Sequence, residues 1–306
     1  MTDLSPDGHR VACHPAPECI SVVMPIYNAE STLDEALDCL AAQDYNGRWE
    51  VLLVDNLSTD HSAAICETWL DRLPQARLIK ATDTQGVSHA RNVGAAAARG
   101  DFVAVCDADD RSTPGWLKAI SEAATFGDMV AGAYRTRIPL NDAVGYPVAD
   151  SADLEPLGCK FGYLPYAPGG SMGAWKCVID AIGGWDESIR LGADDTDFGW
   201  RAQEAGFSLV AAPGALIDYR LRPGLRSLAH QRYHYGRGDS LLADRYTRRL
   251  ADEHVRVSVS ATMMYCGKLA LSTIARRTPL PLAIRYGAYR LGRLVGAWTY
   301  GRHLRL

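Results

Sequence analysis

Short apolar runs alternate with helical segments through the first 135 residues, and this alternation limits the fold more than any other feature. Each run is too short for a core helix and is rich in branched side chains, so each predicts a buried strand. The intervening segments carry leucines at helical spacing or many alanines. Alternation of this kind predicts an α/β fold with a mostly parallel sheet flanked by helices. The predicted strands cover 20–24, 50–54, 76–80 and 102–106.

Local signals predict where several of these elements begin and end. Pro25 is expected to end the first strand, and Ser31 is expected to open the helix that follows. Ser58 or Asp60 is expected to cap the second helix. Gly100 is expected to take the C-cap position of an alanine-rich third helix.

The fourth predicted strand leads directly into a cluster of carboxylates. The sequence DFVAVCDADD places Asp107, Asp109 and Asp110 at the carboxyl end of that strand, where open parallel sheets bind their ligands. Three carboxylates repel each other unless a cation or a hydrogen-bonding partner neutralises them, and Mg²⁺ prefers carboxylate and phosphate oxygens. The cluster therefore predicts a metal and phosphate site. A solvated acidic turn is the alternative.

The chain changes character between about Tyr134 and Pro168, where prolines are frequent. This composition predicts an irregular segment over the active face. A helix at about 175–182 is then expected to stop at a pair of glycines, and a second helix is expected to begin near Asp194. Carboxylates in the first turn of that helix suit its dipole, so helix capping is the alternative to a catalytic role.

Five sequence blocks occur in the order seen in the family 2 inverting glycosyltransferases, which this chain resembles over roughly residues 20–225. The blocks are VVMPIYN at 22–28, VLLVDNLSTD at 51–60, GVSHARNVG at 86–94, DADD at 107–110, and GGWDE followed by DDTDFGWR within 183–201. The resemblance implies a GT-A fold, a Rossmann-like mixed and mostly parallel sheet. It also implies transfer of a sugar, with inversion, from a nucleoside diphosphate sugar to an acceptor hydroxyl. The expected setting is the synthesis of bacterial-type cell-surface glycans or glycolipids.

The resemblance further implies which residues bind the donor and the metal. Asp109 would hold Mg²⁺ or Mn²⁺, Asp107 would meet the ribose, and Asp55 would accept a hydrogen bond from the base. A plain turn at Tyr27 and a surface salt bridge at Arg91 are the structural alternatives. The other expected nucleotide-binding residues are Pro25, Tyr27, Asn28, Gly86, Arg91, Asn92 and Arg222.

On the acceptor side, the resemblance implies that Asp195 is the general base that deprotonates the acceptor hydroxyl. Asp194 stands beside it where the family more often has glutamate, so both aspartates are candidates for this role. Trp185 and Asp186 would shape the acceptor site.

The chain departs from the family pattern at two positions near the donor. Asn56 and Leu57 stand where the family usually has aspartate and glycine, so contacts with the donor base are expected to differ. Arg222 stands where many relatives have a histidine. An arginine near a diphosphate supplies positive charge, which leaves a strict requirement for metal open.

Two other functions were weighed against sugar transfer. A nucleotidyltransferase would be expected to carry a glycine-rich basic loop after the first strand, and PIYNAE is not such a loop. A catalytically inactive nucleotide-sugar-binding module is disfavoured because Asp107, Asp109 and Asp195 are all present. No nucleic-acid partner is expected.

The two ends of the chain differ from its middle. Residues 1–18 are polar and proline-rich with no signal-peptide pattern, so a flexible tail and a cytoplasmic protein are expected. A catalytic domain at 19–225 and a basic helical extension at 226–306 follow. The first 253 residues carry 36 acidic and 23 basic residues, a formal charge of −13, whereas the remainder carries nine basic residues and no acidic one.

The last predicted helix, from Leu280 onwards, separates apolar from basic residues. One face would carry Leu280, Ile284, Leu291, Val295 and Trp298, and the other Arg285, Tyr286, Tyr289, Arg290 and Arg293. This pattern predicts a helix at an anionic membrane surface, on the inner face of the cell membrane. The alternative is a pair of helices packed on the catalytic domain. The apolar stretch at 257–275 has a central Lys268, which argues against a membrane span.

Overall fold

A computed structural model describes residues 14–73, 75–136, 157–190, 192–250, 257–300 and 304–305. Most of the expected N-terminal tail and of the expected irregular segment lies outside these residues. The strands are β1 (Ile20–Ile26), β2 (Trp49–Asp55), β3 (Ala76–Lys80), β4 (Phe102–Cys106), β5 (Arg111–Ser112), β6 (Met129–Arg135), β7 (Gly158–Cys159), β8 (Pro165–Tyr166), β9 (Ser171–Trp175), β10 (Leu209–Asp218), β11 (Val257–Ser258) and β12 (Leu304–Arg305). The helices are α1 (Leu33–Ala41), α2 (Ser62–Trp69), α3 (Val87–Ala97), α4 (Trp116–Ala123), α5 (Lys176–Ile182), α6 (Asp194–Glu204), α7 (Gly224–Arg245), α8 (Val259–Ile274) and α9 (Leu280–Tyr300).

Eight strands form the central sheet in the order β3-β2-β1-β4-β9-β6-β10-β5. The first four pair in parallel, as does β6 with β10, whereas β9 runs antiparallel to both of its neighbours and β5 runs antiparallel to β10. The predicted mixed, mostly parallel α/β sheet is therefore confirmed. The apolar strands are buried on both faces under the helices, which explains their continuous runs of apolar residues.

Pro25 does not end the first strand, which continues to Ile26. Pairing with β4 stops at Val23, whereas pairing with β2 continues to Ile26. Beyond Val23 the strand has only one neighbour in the sheet, and a proline is tolerated at such an edge. The prediction that Pro25 terminates β1 was wrong for this reason, and the extra residues carry the chain further toward the cavity described below.

Gly100 is not the C-cap of the third helix. The helix ends at Ala97, and the C-cap residue Ala98 has an extended backbone. A Cβ atom on Gly100 would lie 2.4 Å from the carbonyl oxygen of Cys19, and the Gly100 amide donates to Ser21 Oγ at 2.9 Å. The glycine is needed because the turn before β4 passes close to the backbone at the start of β1.

A second, smaller apolar cluster joins α6 to α7. Its members are Ala193, Trp200, Leu242, Ala243, Tyr246 and Leu250. Arg245 of α7 also donates to Asp186 at 2.5 Å, and the Tyr246 hydroxyl donates to Asp197 at 3.2 Å. These contacts hold the C-terminal part of α7 against α6 and the loop before it.

The C-terminal helix α9 packs on α7 through small residues. A Cβ on Gly292 would lie 2.0 Å from the Tyr233 carbonyl oxygen, and a Cβ on Gly236 would lie 2.2 Å from the Tyr289 carbonyl oxygen. Arg293 is buried at this contact, and the Tyr289 hydroxyl donates to Asp239 at 2.7 Å. Tyr289 and Arg293 were predicted to share the basic face of the last helix. That prediction was wrong, because the small residues of α9 face α7, and Tyr289 and Arg293 lie on the same side of the helix as those small residues.

The apolar side chains of the last two helices point outward instead. Trp298 is 76% exposed and Ile274 is 79% exposed. The other exposed members of this surface, which we call the C-terminal apolar face, are Met263, Met264, Leu271, Leu280 and Leu291. Among the helices that the structure describes, none is both long enough and apolar enough to cross a bilayer.

Candidate functional site

A cavity of about 840 Å³ opens at the carboxyl ends of β1 and β4. Its walls come from the loop after β1, the loop before α3, the acidic loop after β4 and the segment after β10. Its lining residues are Pro25, Ile26, Tyr27, Asn28, Ala29, Ser31, Thr32, Asn56, Gln85, Gly86, Val87, Ala90, Asp107, Ala108, Asp109, Arg220, Arg222 and Pro223. This is the edge at which an open α/β sheet places its ligand.

Seven of the twelve residues expected at the donor, metal or base line this cavity. They are Pro25, Tyr27, Asn28, Gly86, Asp107, Asp109 and Arg222. The ring of Tyr27 is half exposed, so it offers a face to a ligand. Asp55, Arg91, Asn92, Asp194 and Asp195 are not lining residues.

Hydrogen bonds between loops hold the donor end of the cavity in shape. Asn28 has a left-handed backbone with φ of 49°, and its Oδ1 accepts from the Thr59 amide at 2.8 Å. Asn56 Nδ2 donates to the carbonyls of Ala81 and Thr84, while its Oδ1 accepts from the Gly86 amide at 2.6 Å. Asn56 thus joins the loop after β2 to the start of α3, and its role was missed because an asparagine was read only as a lost carboxylate.

The three aspartates after β4 come together as the sequence predicts. One carboxylate oxygen from each of Asp107, Asp109 and Asp110 lies within 4.8 Å of the others. Asp107 and Asp109 are partly exposed to the cavity, whereas Asp110 is buried. Burial, together with the Asp109 and Asp107 carboxylates, raises the pKa of Asp110 well above its ordinary value.

This cluster has the chemistry of a divalent cation site. Asp110 Oδ2 is buried and has no hydrogen-bond partner among the residues that the structure describes. An unpaired buried carboxylate oxygen beside two other carboxylates costs free energy that a cation would recover. The donor set is oxygen only, which suits Mg²⁺ or Mn²⁺.

The pairing of β5 with β10 brings two arginines that follow β10 to the acidic loop. Strand β5 pairs with the end of β10, so the residues that follow β10 lie beside the aspartates. Arg222 Nη1 donates to Asp109 Oδ2 at 2.8 Å, and the Arg220 amide donates to Asp110 Oδ1 at 2.7 Å. The charge of Asp109 raises the pKa of Arg222 despite its burial. Arg220 also lines the cavity and was not among the expected site residues, although it stands two positions before Arg222.

Arg91 lies behind the cavity and connects the carboxylates of Asp107 and Asp194. Only 4% of the residue is exposed. Its guanidinium donates to Asp194 Oδ2 at 2.6 Å, to Asp107 Oδ1 at 3.4 Å and to the Gly169 carbonyl at 3.1 Å. These contacts occupy the side chain that was expected to meet the diphosphate.

The two candidate bases have different surroundings. Asp194 is 5% exposed and is paired with Arg91 at 2.6 Å, and burial raises its pKa against the lowering effect of that arginine. Asp195 is only partly buried, and its Oδ2 accepts from the Gly169 amide at 3.1 Å. Geometry therefore leaves Asp195 as the more accessible carboxylate.

Gly169 and Gly170 allow the backbone to approach Arg91 and Asp107 closely. A Cβ on Gly170 would lie 2.4 Å from Asp107 Oδ2, and a Cβ on Gly169 would lie 2.9 Å from the Arg91 guanidinium. The backbone passes directly beside the Asp107 carboxylate and the Arg91 guanidinium because neither position carries a side chain.

The remaining expected site residues serve the framework. Trp185 is 2% exposed and stacks on Phe198 with ring centroids 4.3 Å apart, which leaves no side-chain surface for an acceptor. Asp186 is paired with Arg245 of α7. Asn92 hydrogen-bonds the backbone of Trp185 through both ends of its amide, and Asp55 accepts from the Ser58 amide at 3.3 Å.

Comparisons with known proteins relate part of this chain to a known family. Residues 21–152 match the model of the glycosyl transferase family 2. The glycosyltransferase GlyG of Streptococcus pneumoniae serotype 4 is 36% identical over 30% of this chain and 31% of its own length. The pre-mycofactocin glycosyltransferase of Mycobacterium tuberculosis is 28% identical over 95% of this chain and 58% of its own length. The chain thus spans about a third to a little over half of these relatives.

A solved structure shares the fold. The mannosyltransferase PcManGT from Pyrobaculum calidifontis, solved in complex with GDP-Man and Mn²⁺, superposes with a TM-score of 0.63. It is 16% identical, and the match covers 98% of this chain and 91% of that one. Residues 21–152 thus match the glycosyl transferase family 2 model, and the chain has a GT-A fold.

Proposed function

We propose that this protein is an inverting glycosyltransferase that uses a nucleoside diphosphate sugar. The observation that carries the proposal is the carboxylate cluster of Asp107, Asp109 and Asp110 at the wall of an 840 Å³ cavity, within the residues that match the glycosyl transferase family 2 model. A cavity of this size suits a ligand of nucleotide-sugar dimensions.

The donor occupies the cavity between the loop after β1 and the acidic loop. The exposed ring of Tyr27 lies against the base, and Asp107 faces the ribose. Asp109 and its neighbours would hold Mg²⁺ or Mn²⁺, which would supply positive charge to the leaving nucleoside diphosphate. Arg222 adds a second positive charge at the same place, since its guanidinium already lies at the edge of the cluster.

Asp195 acts as the general base. Its carboxylate is oriented by the Gly169 amide and by Thr196, whose amide donates to Asp195 Oδ1 at 2.7 Å. It takes the proton of the acceptor hydroxyl while that oxygen forms a bond to the anomeric carbon. The bond from the anomeric carbon to the diphosphate breaks on the opposite side, which inverts the configuration. The ion pair of Arg91 and Asp194 positions the start of α6, which carries Asp195, against Asp107.

The C-terminal apolar face supports a peripheral membrane location. Its exposed apolar side chains belong to α8 and α9, which pack against each other, and basic residues such as Arg276 and Arg277 lie in the same segment. Apolar residues surrounded by arginine and lysine suit an anionic bilayer surface. We therefore place the enzyme at the inner face of the cell membrane, in the synthesis of a cell-surface glycan or glycolipid.

A donor screen tests the activity. The full chain is incubated with uridine, guanosine and thymidine diphosphate sugars and Mn²⁺ or Mg²⁺, and release of the nucleoside diphosphate is measured. We expect slow hydrolysis of one donor class in the absence of acceptor. Release of pyrophosphate instead would favour a nucleotidyltransferase, and binding of a donor without any turnover would favour an inactive module.

A further inference from the structure

A second cavity, of about 950 Å³, adjoins the donor cavity. The two cavities share Arg222 and Pro223, so they lie on either side of the segment between β10 and α7. The residues that line the second cavity are Arg190, Gly192, Arg222, Pro223, Gly224, Leu225, Arg226, Ser227, His230, Gln231, His234 and Tyr235. We call it the basic cavity.

The described residues that line the basic cavity include five basic side chains and no carboxylate. Three arginines and two histidines face it, and none of its lining residues is an aspartate or glutamate. Arg190 and Arg226 are exposed, and among the described residues neither forms an ion pair. A concave surface with one sign of charge concentrates ligands of the opposite sign.

The N-terminus of α7 adds further donors. This helix of 22 residues begins at Gly224, and its N-cap residue Pro223 supplies no side-chain cap. Among the described residues, no side chain caps the first-turn amides of Gly224, Leu225 and Arg226, and the positive end of the helix dipole lies at the cavity wall. Backbone amides together with arginines are a recurrent arrangement for phosphate.

A histidine pair extends the same wall. His230 and His234 are one helical turn apart, and their Nε2 atoms lie 2.9 Å from each other. Two imidazoles this close repel when both are protonated, and burial together with His230 lowers the pKa of His234. A bound anion would relieve that repulsion. The HxxxH spacing of this pair is visible in the sequence.

The basic cavity adjoins the start of α6, the helix that carries both candidate bases. The ring of Tyr235 packs against Gly192, close to the start of α6, where a Cβ on that glycine would approach the ring within 3.0 Å. Gly192 stands only three residues before Asp195, so this wall of the basic cavity adjoins the segment that carries the candidate base. A group held in the basic cavity would therefore be adjacent to the hydroxyl that Asp195 deprotonates.

We propose that the basic cavity binds a phosphate group of the acceptor, so that the substrate glycosylated here is a phosphorylated alcohol or glycan. This inference rests on the proposed sugar transfer. Arg226 and Arg190 are the phosphate-binding side chains, the α7 amides complete the site, and Arg222 separates the acceptor phosphate from the donor diphosphate.

The test uses glycerol 1-phosphate as a soluble probe and vesicles of phosphatidic acid in phosphatidylcholine as a lipid probe. The full chain is first saturated with the nucleoside diphosphate of the preferred donor and Mn²⁺, and binding of each probe is then measured by calorimetry or co-sedimentation. We expect Arg226→Gln and Arg190→Gln each to weaken binding of glycerol 1-phosphate about tenfold or more. Arg248→Gln, at an exposed arginine outside the cavity, is the matched control and should bind normally.

The outcomes separate the sources of the phosphate and the two proposals. Loss of soluble and vesicle binding together supports recognition of the phosphate itself, and loss of vesicle binding alone supports recognition of the lipid headgroup. Unchanged affinity in both cavity variants, or absence of binding to both probes, would overturn the inference. Failure of donor hydrolysis with intact phosphate binding would contradict the proposed sugar transfer alone.

Discussion

At the scale of single residues, the site depends on how each carboxylate is neutralised. Asp194 has a buried arginine as its partner, Asp109 has a partly exposed one, and Asp195 has only backbone and hydroxyl donors. Asp110 keeps one oxygen without a partner among the described residues. These four environments assign different roles to residues of the same type.

Asp195→Asn should reduce turnover about 100-fold or more while the affinity for nucleoside diphosphate is retained, because asparagine has the same shape but cannot take a proton. Steady-state transfer and calorimetry on the same preparation measure both quantities. Asp194→Asn is the comparison, and it should lower the free energy of unfolding by about 3–5 kcal/mol because it leaves Arg91 buried without its main partner. If Asp194→Asn abolished turnover in a stably folded protein and Asp195→Asn did not, the two roles would be exchanged.

Asp109→Ala should abolish transfer and weaken nucleoside diphosphate binding in Mn²⁺ or Mg²⁺, because it removes an accessible carboxylate from the cluster. Asp71→Ala, at an exposed aspartate near the end of α2, is the control. A nucleotide affinity in Mn²⁺ equal to that of the unchanged protein would refute the assignment of Asp109. Since Arg222 supplies charge at the same place, a chelator should leave residual activity that Arg222→Ala removes.

Leu57 occupies a left-handed backbone position in the turn after β2, with φ of 63°. The family resemblance leads one to expect a glycine here, and the turn keeps the backbone of a glycine although the side chain has changed. Such a conformation costs an ordinary residue about 1–2 kcal/mol, and part of this is offset by the greater freedom of glycine in the unfolded chain.

We therefore expect Leu57→Gly to raise the free energy of unfolding by up to about 1 kcal/mol. Denaturant midpoints measure the change, and Leu57→Ala is the control because alanine keeps the backbone strain. A lower midpoint for Leu57→Gly would show that packing of the leucine side chain outweighs the strain.

At the scale of elements, the contact between α7 and α9 determines where the basic end of the chain lies. Gly236 and Gly292 bring the two backbones together, and the Ser240 hydroxyl donates to the Arg293 carbonyl at 2.7 Å. The N-terminus of α7 faces the basic cavity. Helix α7 therefore connects the catalytic side of the molecule to its C-terminal apolar face.

Gly292→Ala should destabilise the protein by about 1–3 kcal/mol, because the new methyl would overlap the Tyr233 carbonyl. Gly287→Ala is the matched control on the same helix, since its Cβ would meet nothing closer than 3.8 Å. The control should be neutral or stabilising by up to about 1 kcal/mol through helix propensity. Thermal unfolding compares the two, and equal melting temperatures would contradict the close packing of α7 and α9.

At the scale of the whole molecule, charge and exposed apolar surface are separated along the chain. The residues up to Glu253 carry a formal charge of −13, and those after it carry +9. An anionic bilayer would repel the first part and attract the second, where each basic residue near the surface contributes roughly 1 kcal/mol before screening. This separation would orient the donor cavity relative to the membrane.

We expect the full chain to co-sediment with anionic vesicles at low salt and to be released at high salt, because the attraction is screened. Combining Ile274→Ser with Trp298→Ser should weaken binding, since both side chains are highly exposed on the C-terminal apolar face. Phe126→Ser, at an exposed phenylalanine just after α4, is the control. If the double variant and the unchanged protein partitioned equally, the membrane proposal would be wrong.

The sequence by itself determined the α/β class, four strands within two residues of their ends, and the position of the acidic loop. These features are local, because a buried parallel strand needs a continuous apolar run and the residues after it must lie at the sheet edge. Tertiary structure decided which side chains are accessible. Arg91 and Trp185 were expected to contact substrates, but both are buried, Arg91 against Asp194 and Gly169, and Trp185 against Phe198.

Tertiary structure also decided the orientation of the last helix. The periodicity of α9 separates two faces but does not say which one meets the protein, and close backbone contact at Gly292 turned Tyr289 and Arg293 inward. The basic cavity likewise exists only because α7 packs beside β10 and α6. Residues far apart in sequence, such as Arg190 and Arg226, line the same cavity. No local sequence pattern specifies a contact of this kind.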